Sequence, residues 1–183
     1  MSKHVNIENE EIKIPYYAIH KDGEIRGFFG PFRFLSNFYI LENGIWFEEL
    51  TYPSVEHAYQ AAKWPQHGRH LYQGNRTASR VAFLDITAGE AKYLGKLAPK
   101  LDVRKWNKNK VELMRSLVFQ KFEKNDKLRN MLLATDGYIL DERNSWKDTF
   151  WGTNEQGEGE NNLGKILMNV RDKFIAMKNK EEF

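Results

Sequence analysis

The segment Ser54–Lys63 (SVEHAYQAAK) carries side chains that could do chemistry at helical spacing. On a helix, one face would hold Glu56, Tyr59, Gln60 and Lys63. The helix dipole keeps a carboxylate in the first turn ionised, and a lysine amine becomes a nucleophile when its pKa is lowered. The same spacing also fits a solvated face on which Lys63 pairs with a carboxylate, so both interpretations stay open.

A second chemically capable segment is Glu142–Gly152 (ERNSWKDTFWG), which we expect to be a loop after a strand. It contains the carboxylates Glu142 and Asp148, and loops on rigid scaffolds often carry sites. Its tryptophans, Trp146 and Trp151, could stack on a ligand or fill the core.

A third candidate is Asn161–Gly164 (NNLG), at the expected start of the last helix. Free backbone N–H groups at a helix start suit phosphate, and Asn162 could hold ribose hydroxyls. A plain asparagine N-cap explains the same residues equally well.

Several other classes of site are excluded or disfavoured by the sequence. There is no cysteine, which removes disulfides, thiolate nucleophiles and cysteine zinc sites. The run Gly159–Lys165 (GENNLGK) resembles a phosphate loop, but Ile166 follows where a magnesium-binding hydroxyl is needed. His67 and His70 have no partners to complete a metal site, so we expect neither a metal nor a cofactor.

The elements that must position these residues predict an α+β fold that is mostly helical, with short N-terminal strands and hairpins. Strands are expected at 14–20 and 25–29 around Asp22-Gly23, at 39–41 and 45–47 around Asn43-Gly44, and at 138–141. Residues 68–80 are expected to be partly helical. Helices are expected at 55–64, 88–98, 107–124 and 126–133, and from 161 or 162 onward. The buried face of the last helix is expected to hold Leu163, Ile166, Leu167, Val170, Phe174 and Met177.

The length of 183 residues predicts one compact domain over 12–183, after a flexible polar arm at 1–11. The polar start and the absence of a long apolar run predict an intracellular, cytoplasmic protein with no membrane partner. The net charge of +3 tolerates a polyanionic partner without requiring one. Nothing in the sequence indicates an obligate protein partner.

Taken in order, five motifs resemble the NADAR (YbiA-like) superfamily over roughly residues 25–175. The opening motifs are Phe34–Phe38 (FLSNF) and Ser54–Lys63. The central helix is matched by Trp106, Lys110, Met114 and Lys121-Phe122. The closing signature is matched by Asp148, Trp151-Gly152, Asn162-Leu163-Gly164, Leu167-Met168 and Arg171. The spacer Arg143–Lys147 is longer than the family pattern.

The resemblance implies an N-glycosidase that breaks a bond between ribose C1 and nitrogen. Such cleavage passes through a cationic sugar, so by analogy with glycoside hydrolysis we expect acidic groups at the site. Glu56 and Asp148 are the expected catalytic carboxylates, and Lys63 is a third catalytic candidate. The expected substrate-binding residues are Ser36, Asn37, Phe38, Tyr59, Gln60, Trp106, Glu142, Trp151, Gly152, Asn162 and Gly164.

Three functions remain open at this point, of which the first two are the substrate classes that the resemblance implies, and we expect the first. The first is removal of ADP-ribose from ADP-ribosylated guanine in nucleic acid, which the positive net charge favours slightly. The second is cleavage of phosphorylated ribosylamino intermediates of riboflavin synthesis. The third is a non-catalytic module that binds ADP-ribose or NAD, which the presence of both carboxylates disfavours.

Overall fold

The computed structural model describes residues 4–7, 10–13, 22–72 and 76–181. Its strands are β1 (His4–Ile7), β2 (Glu10–Lys13), β3 (Glu24–Arg26), β4 (Ile45–Phe47), β5 (Leu50–Tyr52), β6 (His70–Tyr72), β7 (Arg76–Ala78) and β8 (Ile139–Asp141). Its α-helices are α1 (Val55–Ala61), α2 (Ala88–Lys96), α3 (Val103–Glu123), α4 (Asp126–Leu133) and α5 (Asn162–Glu181). Short 3-10 helices span Gly30–Leu35 and Arg80–Phe83.

The chain forms two compact units, which are described separately below. The first unit comprises Met1–Ser36 and Phe122–Phe183, and the second comprises Asn37–Lys121. Within the described residues, no helix combines the length and the apolar character that crossing a bilayer requires.

The first unit is organised around the long helix α5. β3 pairs with β8 in parallel, with Ile25 opposite Leu140, and α5 packs on β8. Gly164 allows this packing, because a Cβ at that position would overlap the backbone oxygen of Leu140. The buried guanidinium of Arg171 donates hydrogen bonds to the backbone oxygens of Thr135 (2.6 Å) and Tyr138 (2.9 Å), which joins α5 to the turn after α4.

The second unit is organised around the packing of α1 on α2. Ser54 caps α1 by accepting a hydrogen bond from the backbone N–H of His57. A reciprocal capping box between Thr87 and Glu90 begins α2, as the sequence predicted. Gly95 lies where α2 meets α1, since a Cβ there would overlap the side chain of Gln60.

The mostly helical α+β class is confirmed, and most helix predictions agree with the structure to within a few residues. α3 begins at Val103 rather than 107, because the Asp102 carboxylate accepts from the backbone N–H of Lys105 at 3.0 Å. Five of the six apolar residues expected on the inner face of α5 are buried. The exception is Met177, which is 43% exposed.

The strand predictions were less accurate. The hairpin expected around Asn43-Gly44 is wrong, because β4 pairs with β5 through Glu48-Glu49. These two residues have φ of 42° and 74°, values that hairpin turns need and glutamate rarely adopts. The partly helical segment expected at 68–80 instead forms the antiparallel pair β6–β7.

At the N-terminus, the segment expected to be a loose polar arm contains β1 and part of β2, an antiparallel pair. The strand expected at 14–20 lies outside the described residues, so the hairpin around Asp22-Gly23 stays a prediction. β3 itself is confirmed as a strand, although it is shorter than expected.

Candidate active site

The predicted chemical face of α1 is buried rather than solvated. Glu56, Tyr59 and Gln60 are each 4–5% exposed. The side-chain Nε2 of Gln60 donates to Oε1 of Glu56 at 2.7 Å, and the backbone N–H of Glu56 donates to the oxygen of Asn37 at 3.0 Å. Because burying a carboxylate is costly unless it is compensated, a glutamate here indicates a use for its charge.

Lys63 lies just beyond α1, with its ammonium against two aromatic rings. Its Nζ is 5.3 Å from the centre of the Tyr59 ring and 5.5 Å from that of Trp106. The two rings lie 5.1 Å apart at 55°. Glu56, Lys63 and the rings of Tyr59 and Trp106 thus form one cluster within the second unit, which we call the Glu56 cluster.

The pKa of Lys63 is lowered, chiefly because the amine is desolvated by burial. Glu56 opposes this shift, whereas the positive charges of Lys92, Lys96 and Lys110 add to it. A lysine with a lowered pKa holds more neutral amine near neutral pH, which is the nucleophilic form.

Asn37 and Gln60 supply hydrogen-bond acceptors beside Glu56. The Nδ2 of buried Asn37 donates to the sulfur of Met114 at 3.4 Å. Its Oδ1 and the Oε1 of Gln60 are both buried and have no hydrogen-bond partner among the described residues. Buried polar atoms are normally paired, so Asn37 Oδ1 is suited to accept from a substrate hydroxyl or amino group. Gln60 Oε1 instead lies against Gly95 of α2, since a Cβ on that glycine would come within 2.0 Å of it.

His57 has a structural role within the same helix. Its Nε2 lies 2.8 Å from the backbone oxygen of Ile86, and its Nδ1 lies 2.7 Å from Oγ of Ser54. A carbonyl oxygen only accepts, so Nε2 carries the proton and Nδ1 accepts from the Ser54 hydroxyl. Burial lowers the pKa of this imidazole, which favours its neutral form. Its two hydrogen bonds hold the start of α1 in place.

In the first unit, the loop around Asp148 is fixed by its own hydrogen bonds. Asp148 Oδ1 accepts from the backbone N–H of Trp151 at 3.0 Å. The side chain of Asn144 binds the backbone N–H and oxygen of Asp148 at 2.9 and 3.0 Å. Trp151 is half-buried, with its ring edge-on to Phe150 at 5.0 Å. Trp146 is 53% exposed, so it does not fill the core.

The two predicted glycines of this unit serve close backbone packing. A Cβ at Gly152 would overlap the backbone oxygen of Glu142, as one at Gly164 would overlap Leu140. The amide nitrogen of Asn162 donates to the oxygen of Phe150 at 2.8 Å, which ties the loop to α5.

The remaining predicted residues of the first unit also make local contacts. The backbone N–H of Glu142 donates to Asn161 Oδ1 at 3.1 Å, and that of Ser36 donates to Arg33 at 3.1 Å. The substrate contacts expected of Ser36, Glu142, Trp151, Gly152, Asn162 and Gly164 stay predictions.

The second unit therefore brings together Asn37, Glu56, Tyr59, Gln60, Lys63 and Trp106. The substrate contact expected of Phe38 stays a prediction. The sequence interpretation missed Lys92 and Lys96, and it used Lys110 only as a family marker. The i, i+4 spacing of Lys92 and Lys96, and of Trp106 and Lys110, was the available signal.

Potential metal ligands do not gather within the described ranges, where no group of three or more histidine or acidic side chains could hold an ion. His70 Nε2 instead lies 2.8 Å from the backbone oxygen of His67.

This chain is similar to one protein family and to several known proteins. The model of the NADAR domain family matches residues 24–175. An N-glycosidase of Nostoc punctiforme is 34% identical over 146 residues, which cover 79% of this chain and 86% of that protein.

Two further relatives extend the comparison. A chloroplastic riboflavin biosynthesis protein of Zea mays is 35% identical over 144 residues, which cover 74% of this chain but only 21% of that larger protein. The NMR structure of the Escherichia coli protein YbiA has a TM-score of 0.69 and 27% identity, and the match covers 90% of this chain and 92% of that one.

Proposed function

This chain belongs to the NADAR family, and from that membership and the geometry around Glu56 we propose that it is a hydrolase of the N-glycosidase class that cleaves a ribose C1–N bond. The observation that carries the proposal is a buried carboxylate, Glu56, in the same cluster as the desolvated amine of Lys63 and the rings of Tyr59 and Trp106. The proposed roles follow from what C1–N cleavage demands.

Cleavage develops positive charge on C1 as the electron pair of the C1–N bond moves to the leaving nitrogen, which then takes up a proton. A buried carboxylate stabilises that charge more strongly than a solvated one, because the local dielectric is low. Glu56 is suited to this role, since Gln60 fixes one of its oxygens. Asn37 Oδ1 is suited to orient a ribose hydroxyl by accepting from it.

The nucleophile that completes the reaction can be water or Lys63. In the direct route, water bonds to C1 and loses a proton, which releases the sugar with its phosphate still attached. In the covalent route, the neutral amine of Lys63 bonds to C1 as the C1–N bond to the leaving group breaks, and the amine loses a proton. The bond between C1 and the ring oxygen then opens to give a Schiff base, and addition of water to C1 releases the sugar and restores the amine. The lowered pKa of Lys63 supports the second route without requiring it.

Two substrates fit the proposal. ADP-ribosylated guanine in nucleic acid agrees with the net charge of +3 and with aromatic rings that can stack on a base. A phosphorylated ribosylamino intermediate of riboflavin synthesis is favoured by a specific observation, namely the similarity of this chain to a riboflavin biosynthesis protein of maize. The decisive comparison is to incubate the protein with each substrate in parallel and to detect released sugar by mass spectrometry.

The test of mechanism is Glu56→Gln, which keeps the shape of the side chain and removes its charge. We expect turnover to fall on the order of 100-fold or more, as for other lost electrostatic or acid–base groups. The matched control is Glu42→Gln, the same change at an exposed position of the same unit, which should leave turnover unaltered. Unchanged turnover in a folded Glu56→Gln protein would reject the mechanism. If the wild type binds ADP-ribose but cleaves neither substrate, the protein is a non-catalytic binding module.

Borohydride separates the two nucleophiles. Reduction during turnover traps a Schiff base on Lys63 as a stable adduct that mass spectrometry locates. An adduct that disappears in Lys63→Met establishes the covalent route, and turnover without any adduct establishes attack by water.

A further inference from the structure

Three lysines of the second unit lie near enough to Lys63 to act on its charge, although they come from different helices. Lys63 follows α1, Lys92 and Lys96 lie one turn apart on α2, and Lys110 lies on α3. We call Lys92, Lys96 and Lys110 the lysine cluster. None of the roles assigned above uses these three residues.

The packing of α2 on α1 places two members of the lysine cluster beside the Glu56 cluster. Gly95 places α2 directly against Gln60 of α1, and Lys92 and Lys96 flank that glycine in the sequence. Trp64, just after α1, adds a second link by donating its indole N–H to the backbone oxygen of Leu94 at 3.3 Å.

The third lysine reaches the same region along α3. The ring of Trp106 lies 5.5 Å from Lys63 Nζ, and Lys110 is one helical turn further along the same face of α3. Lys92 Nζ lies 5.8 Å from the ring of Phe38, a residue predicted to bind substrate. Aromatic side chains thus adjoin the positive charges on two sides.

The charges are close enough to affect one another. Lys92, Lys96 and Lys110 each lower the pKa of Lys63, whereas the carboxylate of Glu56 raises it. Lys92 and Lys110 are half-buried and Lys96 is exposed, so water screens the repulsion least at the first two. A concentration of positive charge raises the local electrostatic potential, which attracts an anion.

We propose that the lysine cluster binds the phosphate group carried by the ribose whose C1–N bond is cleaved. This inference rests on the proposed function, because both candidate substrates carry phosphate on that sugar. Lysine ammonium groups are point charges suited to phosphate oxygens, and each supplies up to three hydrogen-bond donors. The lysine cluster would hold the phosphate while Glu56 acts at C1.

The test is direct binding, which needs no turnover. Isothermal titration calorimetry compares ribose 5-phosphate with ribose on the wild type and on Lys92→Gln, Lys96→Gln and Lys110→Gln. We expect ribose 5-phosphate to bind more tightly than ribose, and each variant to raise its Kd by roughly tenfold, as expected for one lost charge-assisted hydrogen bond. A parallel titration with ADP-ribose shows whether the lysine cluster prefers a diphosphate to a single phosphate.

The matched control is Lys108→Gln, the same substitution two residues before Lys110 on an exposed part of α3. Melting temperatures check that each variant is folded. The proposal is overturned if the wild type shows no preference for ribose 5-phosphate over ribose. It is also overturned if the three variants weaken binding no more than Lys108→Gln does, or weaken both ligands equally.

Activity measured alongside separates this proposal from the proposed function. Phosphate binding that depends on the lysine cluster, in a protein that cleaves neither substrate, would leave the cluster in place and reject the glycosidase. Cleavage with a KM that the three substitutions leave unchanged would keep the glycosidase and reject the cluster.

Discussion

Lys121 allows a quantitative test of what burying a charged group costs this fold, because its amine lies in the interior of the second unit. The side chain is 1% exposed, and its Nζ lies 5.7 Å from the centre of the Tyr39 ring. Desolvation lowers the pKa of the ammonium from its usual 10.5 to about 7. We predict that Lys121→Met, which keeps an unbranched side chain of similar length, stabilises the protein at mildly alkaline pH.

The sign follows from proton binding in the two states. Between pH 7 and 10.5 the unfolded chain holds a proton on Lys121 and the folded chain does not, so wild-type stability rises with pH by about 1.4 kcal/mol per pH unit. At pH 8, burying the Lys121 amine still lowers the free energy of unfolding by roughly 3 kcal/mol. Below pH 7 this cost reaches its maximum and no longer changes with pH. The advantage of Lys121→Met should therefore be largest at pH 7 and below, and fall toward zero near pH 10.5.

The assay is urea unfolding followed by tryptophan fluorescence at pH 7.5, 8.5 and 9.5. The difference in unfolding free energy between wild type and variant isolates Lys121, because all other titrating groups are common to both proteins. Lys127→Met, the same change on the exposed side of α4, is the control and should show no pH-dependent gain. A Lys121→Met protein that is less stable at pH 7.5, or whose advantage does not vary with pH, would refute the reasoning.

Four further predictions concern the site and its support. EDTA should leave turnover unchanged, and activity lost in EDTA and restored by a divalent ion would contradict the expected metal-free chemistry. If the substrate is a modified base, single-stranded DNA should be cleaved faster than duplex, because the base must leave the stack; equal rates would count against a nucleic-acid substrate. Asp148→Asn should lower turnover on the order of 100-fold with little change in melting temperature, since an amide oxygen can still accept from the N–H of Trp151; normal turnover would remove Asp148 from the mechanism. Gly95→Ala should cost about 1–3 kcal/mol in urea unfolding, because its Cβ overlaps Gln60, and an unchanged unfolding free energy would mean that α1 and α2 separate freely.

The helices were predictable from the sequence because their signals are local. Ser54, Thr87 and Glu90 form caps within three or four residues, and the apolar spacing of α5 extends over several turns. The β4–β5 hairpin could not be predicted in this way, because its turn residues, Glu48 and Glu49, adopt a conformation that glycine or asparagine usually supplies. Glu48 in that turn forms an ion pair with Arg80, 32 residues away in the sequence. A contact over this distance cannot be predicted from a local sequence pattern.

The candidate site shows the same division between local and distant information. Helical periodicity placed Glu56, Tyr59 and Gln60 on one face, but it left open whether that face was solvated. Burial by α2 and α3 decides the question, and this depends on Gly95 and Trp106, which lie more than 30 residues away in the sequence. The lysine cluster was missed because its members come from two helices whose packing the sequence does not encode locally.

The two roles considered for Lys63 are linked through the lysine cluster. A nucleophilic Lys63 must be neutral, and its neighbours Lys92, Lys96 and Lys110 favour that form by repulsion. A phosphate bound to the cluster would cancel part of this repulsion and, together with Glu56, would shift Lys63 toward the ammonium form. An ammonium cannot attack C1, but it can donate a proton to the leaving nitrogen. Phosphate binding at the cluster thus favours attack by water, with Lys63 as an acid, and a trapped adduct would imply that Lys63 stays neutral despite the bound phosphate.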